Sequence, residues 1–232
     1  MEMSGSAALK IVLTSDEVRQ LIEDKTPDSR AEISSRIASA YNDVSIGEEE
    51  RKLAEQIFRL LVRDTELKVR ASLAQNLKES TLIPHDIVMS MVGDVNEVSL
   101  PILEYSQVLT DADLLDVIYA TQENTKFLAI SKRNNVSEVV SGTLVNKGDD
   151  EVTRTLLNND GAFISDDILT QIVDTYKESS EMMESMTSRA RLPISVVEKL
   201  VNVVSSSIGD SLKQKYKLPD EAIRKEVEKN RE

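Results

Sequence analysis

Six segments of this chain can be laid over one another without gaps, and that self-similarity restricts the fold more than any other feature. Five are strong: Ile83–Val92, Leu109–Ile118, Val136–Val145, Ile164–Val173 and Leu192–Val201, whose last residues fall 26, 27, 28 and 28 positions apart. The sixth, Leu218–Val227, follows after another 26 and is more polar, as an outermost repeat with a single neighbour would be. A unit of about 27 residues cannot bury an apolar stripe alone, so successive units must stack over one continuous core.

Each segment reads as the start of a capped amphipathic helix. Its first residue is apolar, its second is Pro, Thr or Ser, acids follow, and apolar residues return near positions five, six, nine and ten. Thr110, Ser137 and Ser165 are placed to accept from the unpaired amides of a first turn, while Pro84, Pro193 and Pro219 remove a donor that would otherwise be orphaned. Asp86, Asp111, Asp113, Glu138, Asp166 and Asp167 sit near the positive end of the helix dipole. Ile83 with Val88, Leu109 with Leu114 and Ile164 with Leu169 have the spacing of a hydrophobic staple; only Ser141 breaks the pattern.

Shorter apolar-periodic stretches precede the segments: Val69–Leu77, Leu100–Tyr105, Phe127–Ile130, Val152–Leu157 and Met182–Met186. They predict a first helix for each unit, entered through acidic or glycine-bearing turns. Residues 11–62 lack the motif and predict three longer helices, about 14–25, 27–42 and 47–63. Thr26-Pro27-Asp28 starts the second of these, and Ser45 with Glu48 suggests a capping box for the third. The expectation is an all-α chain. Residues 1–10 form a flexible start, residues 11–62 a helical cap, and residues 63–232 an α-α superhelix of two-helix units continuous with that cap.

The unit resembles HEAT-like helical repeats, and more closely the leucine-rich-repeat-variant type, in which a turn acid is followed by Val-Arg and a small residue. Asp64, Val69-Arg70-Ala71 and Leu73-Ala74 carry that resemblance. Later units depart from it, with Ser99-Leu100, Leu128-Ala129, Val152-Thr153 and Met183-Glu184 in the Val-Arg place. Together with the Asp94–Glu104 stretch and the Leu109-Thr110-Asp111 type of segment, the order over residues 11–220 is similar to an uncharacterised bacterial HEAT-like domain family. The resemblance implies a fold and no chemistry.

Composition narrows function by exclusion. Cysteine is absent, which removes disulfides, thiolate metal sites and thiol nucleophiles. His85 is the single histidine and cannot build a His-rich metal site or a visible catalytic triad. Asp111, Asp113 and Asp116 lack the glycine and terminal glutamate of a calcium loop. The expectation is therefore no enzyme, no cofactor and no metal. Apolar runs are far shorter than the roughly 20 residues a bilayer span needs, and no signal peptide is visible, so membrane association is not expected and a cytoplasmic location is.

Charge is the one distribution that asks for a function. From residue 79 to 125 there is no Lys or Arg, while nine carboxylates occupy those 47 positions. Such a band attracts basic partners and speeds their encounter. The expected role is a protein-interaction scaffold whose partner carries a basic segment, with Asp94, Glu97, Asp111, Asp113 and Asp116 as contact residues. A different class, nucleic-acid binding through Arg63, Lys68, Arg70, Lys132, Arg133, Arg189 and Arg191 near the first helices, is disfavoured by the formal charge of −13.

Overall fold

The computed structural model describes residues 26–43, 46–204, 212 and 214–217. The expected helix at 14–25, the flexible start, Ser45, and the sixth segment with Pro219 lie outside the described residues. Every regular element described is a helix. They fall into two compact units, with the division between Thr110 and Asp111.

The first unit contains α1 (Pro27–Tyr41), α2 (Glu48–Leu61), α3 (Leu67–Leu77), α4 (His85–Val92) and α5 (Asn96–Tyr105). Pro27 opens α1, where its missing N–H costs nothing. Only the returning half of a capping box is formed at α2, two residues beyond the expected place: Gly47 is the N-cap, and its amide donates to the Glu50 carboxylate at 3.0 Å. α1 packs on α3 and α3 on α5, while α2 contacts both α1 and α3. Ile33, Ile37, Tyr41 and Phe58 are buried with Leu73 and Leu77. The Tyr41 and Phe58 rings meet edge to face, centroids 5.2 Å apart, and the Tyr41 hydroxyl donates to the Leu82 carbonyl at 2.7 Å. That bond ties α1 to the linker before α4.

The second unit contains α6 (Asp111–Ala120), α7 (Asn124–Ser131), α8 (Glu138–Lys147), α9 (Asp150–Leu157), α10 (Asp166–Tyr176), α11 (Ser180–Ser188) and α12 (Ile194–Val203). α7 packs on α9 and α9 on α11, while α6 packs on α8 and α10 on α12; neighbours in the chain touch as well, α8 with α9 and α10 with α11 among them. Two of the caps read from sequence are formed, the Ser137 hydroxyl accepting from the Val140 amide and the Ser165 hydroxyl from the Ile168 amide, while Pro84 and Pro193 stand at the N-cap position rather than inside the first turn. Val92, Ile118 and Val173, the closing residues of their segments, are buried, and Val145 and Val201 are partly buried.

Ser141, the exception in the staple pattern, is fully buried. It is followed by Gly142, where an added Cβ would stand 3.6 Å from Ile168 Cγ1, an ordinary contact distance. Near the C-terminal side of the unit, Met182, Met183 and Met186 join Leu169, Ile172, Val173, Val196, Val197 and Leu200 in one core cluster, thioethers filling gaps between branched side chains.

Candidate functional site

The charged residues singled out by sequence divide into those held inside the fold and those presented outside it. In the first unit, Arg30 of α1 forms a bidentate pair with Asp64, both contacts 2.9 Å. Arg70 of α3 does the same with Asp94, at 2.6 and 3.1 Å, and its remaining Nη1 donates to the Asp64 carbonyl at 2.7 Å. The four side chains form a chain across successive turns. Burial pushes the Asp64 and Asp94 carboxyls up, but Arg30 and the Glu66 amide for the first, and Arg70 and the Val95 amide for the second, hold both below the ordinary carboxylate value. Asp94 therefore serves Arg70 rather than presenting open negative charge.

Glu97 is exposed in the first turn of α5. Asp111, Asp113 and Asp116 belong to α6 in the second unit, with Asp111 and Asp116 exposed and Asp113 half-exposed. At about 100° per residue, Asp113 and Asp116 lie within about 60° of one another, opposite the buried Leu114 and Ile118 stripe. Asp111 sits at the mouth of the helix; burial lowers the pKa of the Arg133 guanidinium, and the Asp111 charge partly opposes that shift. Thus Asp113 and Asp116 share a face, Asp111 does not, and Asp94 and Glu97 belong to the other unit.

The basic residues are mostly committed elsewhere. Lys68 pairs with Asp28 and Arg70 with Asp94. Arg189 follows α11 and donates through Nη1 to the Leu156 and Leu157 carbonyls at 3.0 and 2.9 Å, and through Nη2 to Ala162 O at 2.9 Å. A cation at the C-terminal end of α9 satisfies carbonyls that have no partner within the helix and meets the negative end of its dipole. In the preceding repeat Asn159 has the corresponding role, its Nδ2 donating to the Ser131 and Arg133 carbonyls at 2.8 Å each. In the following repeat Lys215 donates to the Arg189 carbonyl. Arg63, Lys132 and Arg191 remain exposed.

Two features escaped the sequence reading. Val136 pairs with the 161–163 segment as an isolated parallel bridge, with Val136 N donating to Gly161 O and Phe163 N to Val136 O. Gly161 is required there, since a Cβ would fall 1.9 Å from the Asn134 carbonyl oxygen. The second feature is a set of large apolar side chains facing solvent in the second unit, Tyr119, Val139, Phe163 and Ile194. Helical periodicity assigns Val139 and Ile194 to helices without saying that they leave the core.

Among the described residues no group of His, Asp or Glu could hold a metal ion, and no helix is long and apolar enough to cross a membrane. His85 is exposed at the start of α4. No curated protein and no solved structure matches the chain. A family described as an uncharacterised protein conserved in bacteria, DUF2336, matches residues 98–232, from within α5 through the whole second unit. That match covers more than half of the sequence and includes four of the five strong repeat segments, so the chain belongs to this bacterial family.

Proposed function

We propose that this chain is a non-enzymatic binding scaffold of HEAT-like repeats, which holds a protein partner against a stacked-helix surface carrying unneutralised acids. The observation that carries the reading is the constant offset of the bonds between repeats. Asn124 reaches Asp149 across 25 residues, Gln171 reaches Asn146 across 25, Tyr176 reaches Asp150 across 26 and Arg154 reaches Glu181 across 27. A repeated offset close to the motif spacing is what stacked two-helix units require, and a stack of this kind offers an extended surface rather than an enclosed reaction site. Acids left exposed on α6, Asp111 and Asp116, supply the local negative potential a basic partner would meet.

Affinity capture from a native lysate, with the Asp111→Lys, Asp113→Lys, Asp116→Lys variant as control, tests the scaffold reading alongside a salt titration of a short DNA duplex. A partner lost in the variant is expected. Tight duplex binding that falls steeply with salt would replace the scaffold with a nucleic-acid function.

A further inference from the structure

The exposed apolar residues of the second unit fall at the starts of its second helices. Val139 and Ile194 occupy the first turns of α8 and α12, and Phe163 lies two residues before the Ser165 cap of α10. They are 63%, 60% and 65% exposed, whereas Val136, Ala162 and Leu192, their counterparts in the same linkers, are buried. The bridge explains Phe163: side chains alternate along an extended segment, so Ala162 turned into the core sends Phe163 outward. The helices are neighbours, α8 reaching α10 through Gly142 and Ile168 and through a Gln171 to Asn146 bond, and α10 packing on α12. The three side chains therefore lie along one edge of the unit.

Acids are interleaved with them. Glu138, Asp166 and Asp167 are exposed in the same first turns, and Asp111 and Asp113 open α6, which packs on α8. Each helix N-terminus offsets only about half a positive charge, so the edge stays negative. Arg191, exposed ahead of α12, marks where the acidic stretch ends. This pattern selects against a phosphate backbone and against an anionic lipid surface, both of which bring negative charge. A purely basic polymer would leave Phe163 wet. A segment that carries Lys or Arg beside apolar side chains satisfies both features at once.

We infer that this edge is the docking surface for a basic, apolar-bearing segment of another protein, with Phe163 as its central anchor. The inference rests on the scaffold reading and moves the centre of the contact from Asp116 on the side of α6 to the starts of α8, α10 and α12.

The test is selection of a phage-displayed library of random peptides on the full chain, followed by binding of the enriched peptides to Phe163→Ser, to the Asp166→Lys, Asp167→Lys double variant and to the Asp116→Lys variant. Enriched peptides should combine Lys or Arg with Leu, Ile or Phe. Phe163→Ser should weaken them about tenfold with an unchanged thermal unfolding curve, as loss of a central aromatic anchor does, and the double reversal should slow association. Acidic or wholly polar consensus peptides, or affinity unchanged in Phe163→Ser, would overturn the inference. Peptides lost only in Asp116→Lys would overturn this edge and leave the scaffold standing. No enrichment over an unrelated helical-repeat protein would remove both, and Phe163-dependent binding to neutral phosphatidylcholine vesicles without peptide binding would make the edge a lipid contact instead.

Discussion

The Arg70 guanidinium holds the Asp94 carboxylate through two bonds while donating a third to the Asp64 carbonyl, with the Arg70 and Asp94 side chains 18% and 14% exposed. This pair joins α3 to the turn ahead of α5 and so fixes how those two stacked helices meet. Arg70→Ala leaves a half-buried carboxylate and a carbonyl without their donor, so it should lower stability by about 2 kcal/mol in urea unfolding. Asp94→Asn should cost less, because an amide can still accept from the guanidinium. A double-mutant cycle should return a coupling of about 1 kcal/mol or more.

Acid sensitivity should follow from the same residues. Asp64 and Asp94 have folded-state values held below their ordinary 3.8, so their contribution is fully present above that value and is lost as pH falls through the lower folded values. Stability should be flat from pH 7 to about 5 and then decline below about 4. Urea midpoints measured across that range in wild type and in Arg70→Ala check this, with the acid decline shallower in the variant.

An alkaline decline should come from Tyr41. Burial first, then the Glu55 charge and its hydrogen bond, push its hydroxyl up from 10.0 to about 12. The unfolded chain ionises first, so stability is intact below about pH 10 and falls between about pH 10 and 12. Tyr41→Phe should cost about 1 kcal/mol at neutral pH by orphaning the Leu82 carbonyl, yet flatten that alkaline limb. Urea midpoints of the two proteins between neutral and alkaline pH check both effects.

Two glycines should respond oppositely to alanine. Gly161→Ala forces a Cβ against the Asn134 carbonyl and should destabilise by about 3 kcal/mol or prevent the Val136 pairing. Gly142→Ala places its Cβ at ordinary contact distance from Ile168 inside α8 and should be neutral or stabilising by up to about 1 kcal/mol. Thermal unfolding by circular dichroism separates the two outcomes.

Arg189→Met keeps the aliphatic stem and removes the donors to the α9 carbonyls. A loss of about 2 kcal/mol is expected, with Arg189→Lys recovering some of it. If instead Arg189 were a nucleic-acid contact, the Met variant would leave stability unchanged and lower the salt slope of duplex binding by about one.

The helices and their order were legible in the residues, because capping and helical periodicity act within one or two turns. Ser137 and Ser165 bond the amides their positions predict, and the first helices of the repeats form where short apolar stretches stand. Regularity of spacing anticipated burial of Val92, Ile118, Val145, Val173 and Val201, of which Val92, Ile118 and Val173 are buried and Val145 and Val201 only partly so. What lay beyond reach was pairing between residues some 25 or more positions apart. An acid at or just before a helix start has the same local signature whether an arginine some 24 residues earlier neutralises it, as with Asp94, or leaves it exposed, as with Asp167. An arginine after a helix reads as surface charge until the carbonyls of the previous helix end are seen under Arg189. Phe163 falls outside the helix-start motif, and only the bridge that buries Ala162 shows that it turns outward. Local sequence therefore determined where helices begin and which stripe they bury, while tertiary stacking decided which charges are spent within the fold and which side chains are left for a partner, since only the packed neighbours set desolvation and pairing.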